Sequence, residues 1–98
     1  MPAVVGVHQV PSLTRDRYEE VVRRLTGGKT RLEAPAALPF DGLLVHVAAE
    51  TDAGFLIVDI FESEEAVEHF NAAMQTIPKE VGIEEPPAFY PAHTFISA

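Results

Sequence analysis

The stretch LLVHVAA, residues 43–49, reads as a buried strand with one residue out of place, His46. Three more polar residues stand in otherwise apolar stretches: His8 in AVVGVHQV, Asp59 in GFLIVDIFE and His93 in FYPAHTFIS. A histidine beside a carboxylate works as a general base near neutral pH, because the carboxylate orients the ring and stabilises its protonated form. Asp59 next to His46 or His8 has that composition. In an apolar chamber the pair suits abstraction of a proton from an acidic C–H or O–H of a small hydrophobic molecule. Structural readings stand beside this one. A buried Asp can pair with an arginine such as Arg15 or Arg23, and core histidines are often satisfied by backbone carbonyls or water. Three histidines and a carboxylate also suit a divalent metal, but no two have a local ligand spacing, and no metal or other cofactor is expected. Tyr18 and Tyr90 carry hydroxyls able to assist, with no pattern to single either out. His69, one turn after Glu65, reads as half of a surface ion pair in preference to a haem ligand.

The elements that must position these residues follow from periodicity and punctuation. AVVGVHQV (3–10) is a valine-rich first strand ended by Pro11. Ser12 or Thr14 then caps a helix to about Leu25, with Tyr18, Val21, Val22 and Leu25 on one stripe, and Gly27-Gly28 ends it. Residues 29–42 form a long connection with one helical turn around Ala34–Leu38. It either covers a pocket or is a solvated crossover packed by Leu38 and Phe40. LLVHVAAE and GFLIVDIFE are two strands of a hairpin turned by Thr51-Asp52-Ala53-Gly54. Ser63 caps a second helix whose stripe runs from Ala66 and Val67 through Phe70, Ala73 and Met74 to Ile77, where Pro78 stops it. After a turn-rich link, FYPAHTFIS (89–97) is the last strand. The order β-α-β-β-α-β with right-handed crossovers predicts an α+β, ferredoxin-like domain over residues 1–98. Its one antiparallel sheet has strand order 4-1-3-2 and both helices on one face.

Side chains alternate across a strand, so each strand divides between two faces. Val5, Val7, Val45, Val47, Leu56, Val58 and Ile60 make one aliphatic set, expected to meet the helices. The other set holds His8, His46, Asp59 and His93 among Leu44, Phe55, Ile57, Phe61, Phe89 and Phe95. That second face is too apolar for water, and a second copy of the chain closing over it would make a barrel with the mixed set inside. In this picture His46, Asp59, His93 and His8 are the candidate catalytic residues. Phe55, Ile57, Phe61, Phe89, Phe95 and Leu44 are the candidate substrate-binding residues.

Composition narrows the partners. A net charge of −8 argues against nucleic acid and anionic membranes, and the absence of cysteine removes disulfides and thiolate chemistry. No targeting signal or membrane-length apolar run is visible, so a cytoplasmic location is expected. GLLVHVAAETDAGFLIVDIFESEEAVEHF (42–70) with PAHTFI (91–96) resembles small actinobacterial members of the dimeric α+β barrel superfamily. That superfamily includes antibiotic-biosynthesis monooxygenase-like and stress-responsive proteins. The markers are His46, Asp59 followed by Phe61-Glu62-Ser63, and His93; Phe61 and Thr94 stand where Trp and Asn are expected. The resemblance implies a homodimer and a cofactor-independent monooxygenase- or cyclase-like activity on a small hydrophobic molecule. The alternative is a non-catalytic small-ligand-binding or dimerisation module.

Overall fold

The computed structural model describes residues 2–34 and 38–98. Strand β1 spans Val4–His8, helix α1 Arg15–Thr26, β2 Leu43–Thr51, β3 Gly54–Phe61, helix α2 Glu64–Met74, the short helix α3 Ile77–Glu80 and β4 Ala88–Pro91. The four strands form one antiparallel sheet in the order β2-β3-β1-β4, the expected order. The result is an α+β fold compatible with the ferredoxin-like arrangement. Among the described residues, no helix is long and apolar enough to cross a membrane. The helical turn expected around Ala34–Leu38 falls largely on residues 35–37, outside the described residues.

Capping chemistry sets the helix boundaries. Thr14 Oγ1 accepts from Arg17 N–H at 3.3 Å and Ser63 Oγ from Ala66 N–H at 3.2 Å, each satisfying a donor that the first turn leaves free. Gly27 ends α1 in the left-handed conformation at φ 77, which glycine adopts without steric cost. The second helix is shorter than its apolar stripe. It stops at Met74, and Ile77 belongs to α3, where Pro78 sits in the first turn because its ring needs no hydrogen bond there.

The last strand is also shorter than 89–97. Val4 pairs with Pro91, and Ala92 N–H donates to the carbonyl of Ala3 at 2.8 Å. Pro2, the next residue back along the chain from Ala3, has no N–H to donate to a longer ladder. Among the described residues no strand pairing continues beyond Ala92, so His93 and Phe95 lie past the sheet and are exposed.

The largest departure from expectation is which face the helices cover. Phe61, wholly buried, packs with Val4, Leu43 and Ala66, and Phe70 of α2 meets it edge-on with ring centroids 5.2 Å apart. Phe55 packs with Leu13, Val21 and Ile83. The mixed aromatic and polar set therefore faces the helices, and the aliphatic set lies on the open side. Size explains the inversion. The stripes of α1 and α2 carry Tyr18, Phe70 and Met74, and filling the layer between helices and sheet takes the large partners Phe55, Phe61 and Phe89. The β-branched set would leave that layer underfilled. On the open side the rows Val47–Val58–Val7 and Val45–Ile60–Val5 cross three strands, and Val47 is 48% exposed.

A bulge between Leu43 and Val45 adjusts β2 to this arrangement. Leu43 pairs with Phe61 and Val45 with Ile60, so Leu44 is the extra residue. Leu43 enters the core with His46 on the same side, while Leu44 is 45% exposed.

Candidate functional site

Between the helix-facing side of the sheet and α1 and α2 lies a cavity of about 370 Å³, near the lower end of small-molecule pockets, which run from about 300 to 1,000 Å³. It sits within one chain, between sheet and helices, and not between two sheets. Most of its wall is apolar: Leu13, Val21, Leu25, Ile57, Phe70, Met74 and Phe89. Leu32, Leu38 and Phe40 of the 29–42 connection also line it, and the last two pack against the core. Residues 83–87 form another edge. Ser12 Oγ donates to Glu85 Oε2 at 3.1 Å and accepts from Glu84 N–H at 2.9 Å, tying that segment to the turn after β1.

The polar residues on the wall are ordered along one hydrogen-bonded line. His46 and Asp59 are directly opposed on β2 and β3, and His46 Nδ1 lies 2.5 Å from Asp59 Oδ1. The other ring nitrogen, Nε2, lies 2.6 Å from the Tyr18 hydroxyl, delivered by the first full turn of α1. The Tyr18 and His46 rings are almost parallel, 9° apart, and Phe55 supports the tyrosine ring from 4.9 Å. Asp59 is 8% exposed. Burial pushes the Tyr18 phenol up to about 12, and the negative charges of Asp59 and Glu19 add to the effect.

Donor–acceptor matching assigns the protons. An ionised Asp59 only accepts, so a neutral His46 carries its hydrogen on Nδ1 and presents a lone pair at Nε2 to the Tyr18 O–H. The pair has the geometry of a carboxylate-oriented base, with the Tyr18 hydroxyl on its Nε2 and all three residues on the cavity wall.

The remaining sequence candidates fall in different places. His8 also lines the cavity, but it pairs with Ile57, one step along the sheet from Asp59, and its Nε2–H donates to the Glu85 carbonyl at 2.7 Å. At the level of Asp59 the β1 residue is Gly6, where a Cβ would come within 3.1 Å of the Phe89 ring; that missing side chain lets Phe89 lie across β1. His93 is not part of the group. Of the candidate binding residues, Ile57 and Phe89 line the cavity, whereas Phe55 and Phe61 are core beneath it. Leu44, in the bulge, and Phe95, beyond β4, are not among its lining residues. His69 Nε2 stands 3.8 Å from Glu65 Oε1, one turn earlier on the exposed side of α2 and away from the cavity. Arg15 pairs with Glu19 and Glu50, and Arg23 with Glu20, so neither is the partner of Asp59. Among the described residues, no three His, Asp or Glu side chains converge as a metal site.

The sequence offers Tyr18 and Tyr90 alike as assisting hydroxyls; the fold brings Tyr18 to His46 and leaves Tyr90 exposed on β4. Tyr18 is the one member of the α1 stripe with a polar tip, beside Val21, Val22 and Leu25, and a hydroxyl on a core-facing stripe needs a partner. That was the available signal. In comparisons with known proteins, the chain matches no family model, no curated protein and no solved structure.

Proposed function

We propose that this chain is a cofactor-independent enzyme of the dimeric α+β barrel type, with His46 as general base, oriented by Asp59, acting on a small hydrophobic molecule. The observation that carries the reading is the Tyr18–His46–Asp59 line on the wall of a mostly apolar cavity. Paired titratable groups with few solvent contacts, set in a cleft, cluster at functional sites. The reaction class is proton abstraction, leading to a monooxygenase- or cyclase-like outcome. The ring accepts the proton at Nε2 and the carboxylate 2.5 Å from Nδ1 offsets the imidazolium charge.

Homodimerisation is supported by a separate observation. The open face of the sheet carries a patch of Val5, Val7, Val45, Val47, Val58 and Ile60, none of which belongs to either core cluster. A contiguous aliphatic sheet face of this kind calls for a cover, and a second copy supplies a matching one by symmetry.

The test starts from the protein purified without denaturation. A native mass spectrum identifies any bound organic molecule, and that molecule is then incubated with wild type and His46→Ala. Conversion by wild type and its loss in His46→Ala, with binding retained, is the expected result. Equal conversion by both refutes the base. Binding without conversion by either makes the chain a ligand-binding module.

A further inference from the structure

We infer that Tyr18 is the residue that meets the ligand, and that the site selects an apolar molecule bearing an uncharged hydroxyl, which donates its hydrogen to Tyr18 Oη. The inference rests on the reading of the cavity as a small-molecule site and adds the polarity of what it takes. The argument is one of hydrogen-bond direction. A carboxylate terminates the line at Asp59, so His46 donates at Nδ1 over 2.5 Å and accepts at Nε2 over 2.6 Å. A tyrosine hydroxyl has one hydrogen, and it is committed to His46. What Tyr18 offers the cavity is lone pairs alone. A ketone or ether oxygen placed there meets lone pair with lone pair, whereas a ligand O–H completes the line.

Two further features narrow the class. With its ionisation pushed up to about 12, Tyr18 stays phenolic and presents a neutral acceptor. Among the described residues lining the cavity, the carboxylates of Asp59, Glu84 and Glu85 outnumber the cation of Lys79. A carboxylate or phosphate on the ligand would therefore meet net repulsion. An uncharged hydroxyl on an apolar body satisfies both conditions.

The same geometry defines a proton path. As the ligand O–H bond breaks, its proton moves to Tyr18 Oη and the proton already on Tyr18 moves to His46 Nε2. The products are a ligand oxyanion, an unchanged phenol and an imidazolium facing Asp59, with no electron gained or lost. Tyr18 is then a catalytic residue in its own right, because its hydroxyl occupies His46 Nε2 and takes the ligand hydrogen in its place.

The experiment is a fluorescence titration with 1-naphthol, 1-methoxynaphthalene and 1-acetonaphthone against wild type and Tyr18→Phe. The chain has no tryptophan, so the emission of the naphthalene ring is read without that background. In wild type, 1-naphthol is expected to bind about five- to tenfold tighter than either of the others, the worth of one net hydrogen bond. In Tyr18→Phe the preference collapses to within about twofold, because the phenyl edge still screens His46 Nε2 and offers no acceptor. Equal or tighter binding of the ether or ketone by wild type overturns the inference and leaves the cavity reading intact. A preference that survives Tyr18→Phe also overturns it. Failure of all three probes to bind wild type overturns the cavity reading and the inference together.

Discussion

The pairing of His46 with Asp59 has an energetic consequence that single substitutions would obscure. His46→Ala strands a carboxylate that is 8% exposed, and Asp59→Ala strands the His46 Nδ1–H. Each single variant thus carries the cost of an orphaned buried group as well as the lost bond, about 1–3 kcal/mol for the orphan alone. Removing both leaves no orphan in the pair. A double-mutant cycle isolates the interaction, and its size follows from burial. The side chains are 17% and 11% exposed, so the bond to a charged acceptor is little screened and should be worth about 1.5–3 kcal/mol, against about 0–1 for exposed pairs. The assay is urea unfolding of wild type, both single variants and the double variant at one protein concentration, since dimerisation would link stability to concentration. The double variant should be more stable than the sum of the single losses by that amount. Additivity within about 0.5 kcal/mol would refute the pairing as a coupled unit.

An alkaline absorbance titration of wild type, with that of Tyr18→Phe subtracted, isolates the Tyr18 phenol and should show a midpoint near 12, with 10 as the unperturbed value. Because folding raises this pKa, the folded chain holds more protons than the unfolded one between those values. Stability attributable to Tyr18 is therefore intact below pH 10 and lost as pH rises towards 12; a midpoint near 10 would contradict the buried placement. On the opposite side of the sheet, Val47→Lys places a charge in the row shared with Val58 and Val7. Sedimentation should show a dimer for wild type and a monomer for this variant with its far-ultraviolet spectrum unchanged; a monomeric wild type would refute the covered-face argument.

Much of the architecture was legible in the sequence for local reasons. Thr14 and Ser63 are side chains that cap helices wherever an apolar stripe follows, and Thr51 to Gly54 turn a hairpin by their own hydrogen bonds, with Thr51 Oγ1 donating to the Gly54 carbonyl at 2.6 Å. Once strand order was set, opposing His46 to Asp59 required only the hairpin register. What escaped depends on three-dimensional filling. Alternation divides residues between two faces but does not say which face the helices take; that was decided by the volumes of Tyr18, Phe70 and Met74. The bulge that turns Leu44 outward lies in a run of similar aliphatic residues, with no local signal at the slipped position. The length of β4 was set by where β1 begins, some 90 residues away in sequence, so FYPAHTFIS looked like a strand throughout while only its start found a partner. Tyr18 was visible as a polar tip on an apolar stripe, but its partner belongs to the far side of the core.

The most direct test of the central claim is to watch the histidine rings while a ligand enters. The chain has four histidines, and in a long-range 1H–15N spectrum of their imidazoles each can be assigned by substitution. On titration with 1-naphthol, the His46 ring nitrogens should shift and saturate, while those of His69 and His93 stay in place. A saturable shift confined to His69 or His93, or a silent His46 under conditions where the probe binds, would mean that the cavity beside Asp59 is not where this protein meets small molecules.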